Sequence, residues 1–176
     1  NFEYASKISD LDNDGIHELF GYDSTSLWFF GVQQQFEVKA GWNQISAPFI
    51  TTDSISLILP FSTPNYFWYN PDSAFYETCD FFQQGKSYFI HSPIDTIVDF
   101  SGEEIDSIIL NLKEGWNMCS GPSHIISTNP FEDDSTLLMP VYIFDAEDGL
   151  YREASNILPG QGFWIFSFIE QNMVIH

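Results

Sequence analysis

The segment Asp10-Leu11-Asp12-Asn13-Asp14-Gly15-Ile16-His17-Glu18 sets carboxylates at alternate positions, then a glycine, then a further acid. A hard divalent cation takes about six to eight oxygens at roughly 2.3 to 2.6 Å, and alternating acids before a glycine turn wrap the chain so that such oxygens converge. The chemistry expected here is therefore Ca2+ binding. Asp10, Asp12, Asp14 and Glu18 supply side chains and Ile16 its carbonyl. An EF-hand needs a bidentate Glu at the twelfth loop position, which here is Gly21, so that arrangement is disfavoured. Clustered carboxylates repel one another without a cation. The metal is thus expected to brace the first 20 or so residues, a structural role.

Other reactive constellations are missing. The chain carries no G-x-S-x-G elbow, no H-E-x-x-H pair and no P-loop. Glu103-Glu104 and Asp133-Asp134 read as solvated acidic turns, and His17, His91, His124 and His176 share no ligand spacing. No catalytic residue is assigned, and an enzyme is not expected. Cys79 and Cys119 are too few for a zinc site of known spacing, which leaves one disulfide between distant segments or two buried thiols.

Charge narrows the partners. Five Lys plus Arg against 25 Asp plus Glu give a net charge of −20, a field that repels phosphate backbones and anionic headgroups. Nucleic acid is excluded as a partner. No apolar run approaches the roughly 18 residues of a membrane span, and no basic-plus-apolar leader opens the sequence, so a soluble chain is expected. Beginning at Asn1 rather than Met suits a processed or excised product.

The elements that must hold these groups are strands. Eighteen Phe, eight Tyr and five Trp, together with Val, Ile and Thr, fill short apolar runs separated by Gly and Pro, and no helical period lasts three turns. The chain also repeats itself. "FEVKAGWNQISAPF" (36–49) matches "LNLKEGWNMCSGPS" (110–123) at an offset of 74, and "YFWYNPDSAFYETCDFFQQGKSYFIHS" (66–92) matches "VYIFDAEDGLYREASNILPGQGFWIFS" (141–167) at an offset of 75. The second block pairs Tyr69 with Phe144, Tyr76 with Tyr151, Gly85 with Gly160 and Phe89 with Trp164.

The predicted architecture is all-β: two pseudo-symmetric repeats, 36–104 and 105–176, packed as a sandwich or barrel-like unit behind an N-terminal calcium hairpin, 1–35. Neither copy is expected to bury its aromatic face alone. Within each copy, a strand enters Gly-Trp-Asn, where Gly41 or Gly115 permits a turn or bulge, and a second strand ends before Pro48 or Pro122. A variable stretch with room for a short helix, a hairpin, an aromatic strand and a closing strand follow. Trp28, Trp42, Trp68, Trp116 and Trp164 with nearby Tyr suggest a sugar-stacking platform, although the matched placement of Trp42 and Trp116 assigns those two to the core.

Gly-Trp-Asn-x-Ile-Ser-x-Pro, followed downstream by Pro-Gly-x-Gly-Phe-Trp, resembles a repeat of secreted and cell-surface proteins of Bacteroidota. It covers 36–176, with departures at "GWNMCSGP" and "QQGKSYF". The resemblance implies an extracellular β-module with no assigned catalysis. D-x-D-x-D-G-x-x-[DE]-L resembles the FG-GAP or VCBS calcium hairpin, with "KIS" leading in and "SLWFFGV" as the outgoing strand; Glu18 stands where Asp is more usual, and one repeat cannot make a propeller.

Asp followed by Ser or Thr and a small or aliphatic residue occurs six times, with hydroxyls on Ser24, Ser54, Ser73, Thr96, Ser107 and Ser135. Composition predicts roughly 0.6. The tripeptide resembles the O-glycosylation acceptor of Bacteroidota, which implies covalent O-glycans on an exported protein; Asp-Ser and Asp-Thr are also ordinary turn formers. In an oxidising exterior a Cys79–Cys119 bridge clamps the copies together.

The expected protein is thus an extracellular, non-catalytic, calcium-stabilised and glycosylated surface protein, structural or adhesive. It is expected to associate with itself or with neighbouring surface proteins, and the fibre expected from it grows by strand addition, with the first 35 or so residues as donor. A carbohydrate-binding or accessory module of a larger enzyme or adhesin is the competing class.

Overall fold

A computed structural model describes residues 7–9, 17–22 and 27–176, with side chains from residue 34 onward apart from Ser101 and Pro130. Lys7–Ser9 (β1), His17–Tyr22 (β2) and Leu27–Val38 (β3) come first. Copy one continues as Gly41–Ile45 (β4), Phe49–Ile50 (β5), the helix Ile55–Ile58 (α1), Phe67–Asn70 (β6), Phe75–Thr78 (β7), Tyr88–Ser92 (β8) and Thr96–Glu104 (β9). Copy two runs Ile108–Leu112 (β10), Gly115–Ser120 (β11), Ile126–Ser127 (β12), the helix Asn129–Glu132 (α2), Leu137–Asp145 (β13), Leu150–Glu153 (β14), Asn156–Ile157 (β15), Gly162–Ser167 (β16) and Gln171–Ile175 (β17). The fold is all-β, and each variable stretch holds one helical turn.

The duplication governs the topology. Copy one forms a four-stranded sheet in the order β4-β8-β6-β7, and copy two forms its counterpart, β11-β16-β13-β14. Each closing strand pairs antiparallel with the copy's first strand: Phe36 faces Val98 in β3–β9, and Leu110 faces Met173 in β10–β17. The sheets are open, so the sandwich alternative holds and a closed barrel is not formed among the described residues.

Strand alternation sorts the side chains. The inner face of each four-stranded sheet packs on the closing strand pair around an aliphatic core: Val38, Ile45, Leu59, Ile90 and Val98 in copy one, Leu110, Leu112, Val141, Ile165 and Ile175 in copy two. Each core is private to its copy. What the copies share is the aromatic outer face, where Phe89 meets Phe144 with ring centroids 5.2 Å apart and Tyr69 meets Trp164 at 5.1 Å.

These two contacts exchange under the repeat offset, as expected of a pseudo-twofold axis. Backbone bonds exchange likewise. Ser46 N donates to Gly160 O at 2.8 Å, and Ser120 N donates to Gly85 O at 3.2 Å. Gly85 and Gly160 take φ of +78° and +77°, a region costly for residues bearing a Cβ. Ala74 occupies the same region at +57° because it stands where copy two has Gly149, at +71°.

The predicted boundary at residue 35 falls inside β3, which pairs with β2 through its first half and with β9 through its second. The N-terminal strands therefore extend the sheet of copy one. Asp10, Asp12, Asp14 and Ile16 lie outside the described residues. Glu18 sits in β2 opposite Ser9, so "KIS" leads in as expected, but the strand leaving the loop is "HELFGY", and "LWFFGV" belongs to the next strand.

Candidate functional site

The Gly-Trp-Asn motif is a backbone clasp that aims a tryptophan outward. Gly41 and Gly115 adopt φ of +104° and +105°. The turn this makes folds the following Asn back on the chain. Asn43 Nδ2 donates to the carbonyls of Lys39 and Gly41 at 2.7 and 3.1 Å, and its Oδ1 accepts from Lys39 N at 2.9 Å. Asn117 repeats the pattern, donating to Lys113 and Gly115 at 2.8 and 2.9 Å and accepting from Lys113 N at 2.9 Å. Both Asn are 3% exposed, so each clasp holds a buried amide against backbone groups of half-buried residues and leaves none of its own polar atoms unpaired.

Because Asn points inward, the preceding Trp points out. Trp42 is 46% exposed and Trp116 38%, which corrects their assignment to the core. Their matched placement reflects the clasp and a shared surface role. Trp116 leans edge-on against Tyr142, Trp164 and Phe166, as Trp42 does against Phe89 and His91, with Phe67 tilted beside it.

Two clefts open between the aromatic faces. Cleft one, of about 390 Å³, is lined by Tyr69, Tyr76, Trp116, Tyr142, Tyr151 and Trp164. Cleft two, of about 610 Å³, carries their repeat counterparts Phe144, Tyr151, Trp42, Phe67, Tyr76 and Phe89, with Ala40, Gly41, Ala146 and Gly149 beside them. Tyr76 and Tyr151 belong to both clefts. Burial, then the neighbouring Tyr151, pushes the Tyr76 phenol up to about 12, and burial also raises Tyr151. Both phenols stay neutral donors at ordinary pH.

The surroundings are acidic, and the cations are already engaged. Lys39 lies 3.0 Å from Glu37, whose hydrogen bond and charge hold the ammonium above its ordinary value, with Asp95 and Glu147 adding. Lys113 bonds Glu170 at 2.7 Å and approaches Asp72 of copy one at 3.5 Å. Arg152 pairs with Asp145 at 2.7 Å and with Asp148. Lys86 rests 3.5 Å over the Trp68 ring, and burial lowers its pKa.

The remaining candidates are scattered. Among the described residues no three His, Cys, Asp or Glu gather as a metal group. Cys79 and Cys119 are free thiols, a correction to the tentative bridge. Each belongs to a different core: Cys79 Sγ contacts Phe81 O at 3.0 Å, while Cys119 is buried in copy two and its thiol is pushed up to about 12. Glu103 and Glu104, expected in a turn, lie in β9 opposite Ile50 and Phe49, because the closing strand runs on past Phe100.

Of the acceptor hydroxyls, Ser73, Ser107 and Ser135 are exposed in turns or connections, Ser54 and Thr96 are half-buried, and Ser24 lies outside the described residues. The clefts themselves were not foreseen; the usable signal was alternation through Gly-Trp-Asn, which sets Trp and Asn on opposite faces. No family model matches the chain, and no curated protein and no solved structure matches it either.

Proposed function

We propose that this protein is a non-catalytic adhesive module of the cell exterior that holds carbohydrate between its two aromatic sheet faces. The observation that carries the reading is the pair of aromatic clefts, each with a half-exposed tryptophan held outward by an Asn clasp. Ring faces remove apolar sugar C–H surface from water, and phenol hydroxyls at the same wall supply directional donors. Neutral Tyr76 and Tyr151 serve both clefts.

O-glycans on the exposed Ser73, Ser107 and Ser135, and a calcium ion on Asp10, Asp12, Asp14, Glu18 and the Ile16 carbonyl, complete this reading as devices of a protein working outside the cell. Deglycosylated protein on a glycan array tests it. Reproducible binding that disappears in both Trp42→Ala and Trp116→Ala is expected; an array without hits removes carbohydrate as the ligand.

A second reading, fibre growth by strand addition, is favoured by β10–β17. This pair stands as a two-stranded sheet, and its directly opposed Ile109 and Val174 are both exposed. Its counterpart in copy one is extended by β2 on one strand and β5 on the other. Electron micrographs of calcium-loaded protein check this reading, and dispersed monomers alone count against it.

A further inference from the structure

The two clefts share a layout but differ in chemistry, and the difference points to a ligand charge. Where cleft one has Tyr142, Trp164 and Tyr69, cleft two has Phe67, Phe89 and Phe144. Every ring of cleft one is Tyr or Trp. Directly across the sheet from Tyr142 stands Glu153, while Thr78 holds that place opposite Phe67. Directly opposed residues share a sheet face with Cβ atoms about 4.5 to 5.5 Å apart, so Glu153 brings an exposed carboxylate to the side of Tyr142.

The rings of cleft one meet at steep angles: Trp116 meets Trp164 at 82° and Tyr142 at 62°, and Tyr69 meets Trp164 at 61°, so they surround a volume from several directions. Cleft two is crossed likewise, with Trp42 and Phe89 at 88° and Phe89 and Phe144 at 87°, so ring identity and the neighbouring carboxylate are what set cleft one apart. A protonated or quaternary nitrogen is attracted to each ring face it meets, most strongly by Trp. The net charge of −20 favours a cation over any anion, and all four Lys and Arg side chains among the described residues are already paired or stacked.

We propose that cleft one is an ammonium cage, with Glu153 as counter-charge. Resting on the carbohydrate reading above, this makes the ligand an amino-bearing glycan, with one amino group in cleft one and a neighbouring sugar ring of the same chain in cleft two. N-acetylation removes the charge that the cage selects.

The test is a calorimetric titration of the whole chain with glucosamine hexamer, N-acetylglucosamine hexamer and tetramethylammonium at low and high salt. Expected are binding of the amino hexamer about tenfold tighter than of the acetylated one, weakening with salt, and competition by tetramethylammonium. Glu153→Gln is expected to lower affinity for the amino hexamer about fivefold and to leave the acetylated one unchanged, with an unaltered melting curve because Glu153 is exposed. Equal binding of both hexamers, insensitive to tetramethylammonium and to Glu153→Gln, overturns the cage and leaves the carbohydrate reading intact. Tetramethylammonium binding weakened by Glu153→Gln, with neither hexamer bound, upholds the cage and removes the glycan.

Discussion

Replacing Asn117 by Ala tests whether the Gly-Trp-Asn clasp holds the fold. The side chain makes three bonds of 2.8 to 2.9 Å to the backbone of Lys113 and Gly115, and it is 3% exposed. Deleting it leaves one N–H and two carbonyls without that partner, at about 1 to 3 kcal/mol for each group that stays dry. Lys113 and Gly115 are themselves half-buried, so water reaches part of the site and the expected loss is about 2 to 4 kcal/mol. With a urea slope of about 2 kcal/mol per M, the middle of the usual range, the midpoint falls by about 1 to 2 M, read by tryptophan fluorescence.

Asn43→Ala must behave alike, since its bonds match to within a few tenths of an ångström. Asn117→Asp sharpens the test. It keeps the acceptor for Lys113 N but loses both donors and sets a carboxylate against two carbonyls, so it must be no more stable than the Ala variant. The reasoning is refuted if both Ala variants fall within ~0.5 kcal/mol of the parent, the range of ordinary surface changes, or if Asp is tolerated.

Gly115→Ala should cost about 1 to 3 kcal/mol from backbone strain alone, because φ is +105° and no atom lies within 4 Å of the added Cβ, whereas Gly121→Ala meets only ordinary contacts at 3.6 Å and should be near neutral in the same assay. Iodoacetamide at about pH 8 should label Cys79 in the folded chain, while Cys119, with its thiol pushed up to about 12, reacts only after denaturation; peptide mass mapping distinguishes them. Folding raises Tyr76 from 10.0 to about 12, so the stability tied to its neutral form is whole below pH 10.0 and is lost as pH rises through about 12; a midpoint profile that Tyr76→Phe leaves unchanged contradicts this. Calcium should raise the melting temperature, and Asp12→Asn should abolish the rise; equal melting in calcium and chelator removes the ion from the account.

Much of the fold was legible because duplication is a statement about structure. Two blocks with the same spacing of Gly, Asn and aromatic residues must satisfy the same local geometry twice, and they do so down to Ala74 and Gly149 sharing the left-handed region. The same reasoning misplaced Trp42 and Trp116. Recurrence shows that a position is constrained, not which side of a strand it faces, and the constraint belongs to the buried Asn43 and Asn117, polar residues that composition assigns to the surface. The extent of β9 was also hidden, since Glu103 and Glu104 are poor strand formers held in register by Phe49 and Ile50 of another strand.

The clefts were illegible for a further reason: neither is encoded in one copy. Cleft one draws Trp116, Tyr142, Tyr151 and Trp164 from copy two and Tyr69 and Tyr76 from copy one, and cleft two reverses the shares. Each repeat therefore contributes to both clefts, and apart from the shared Tyr76 and Tyr151 its equivalent positions line different ones. Tyr69 stands at the far wall of cleft one, while Phe144, its counterpart, stands at the far wall of cleft two, so a change from Phe to Tyr in one copy alters the opposite copy's pocket. Duplication thus builds two sites at once and allows their chemistry to part without moving a strand. It follows that Phe144→Tyr and Tyr69→Phe, each changing one ring hydroxyl, should shift ligand preference in different clefts while leaving the melting temperature nearly constant, because both exchanges conserve ring volume at half-buried positions.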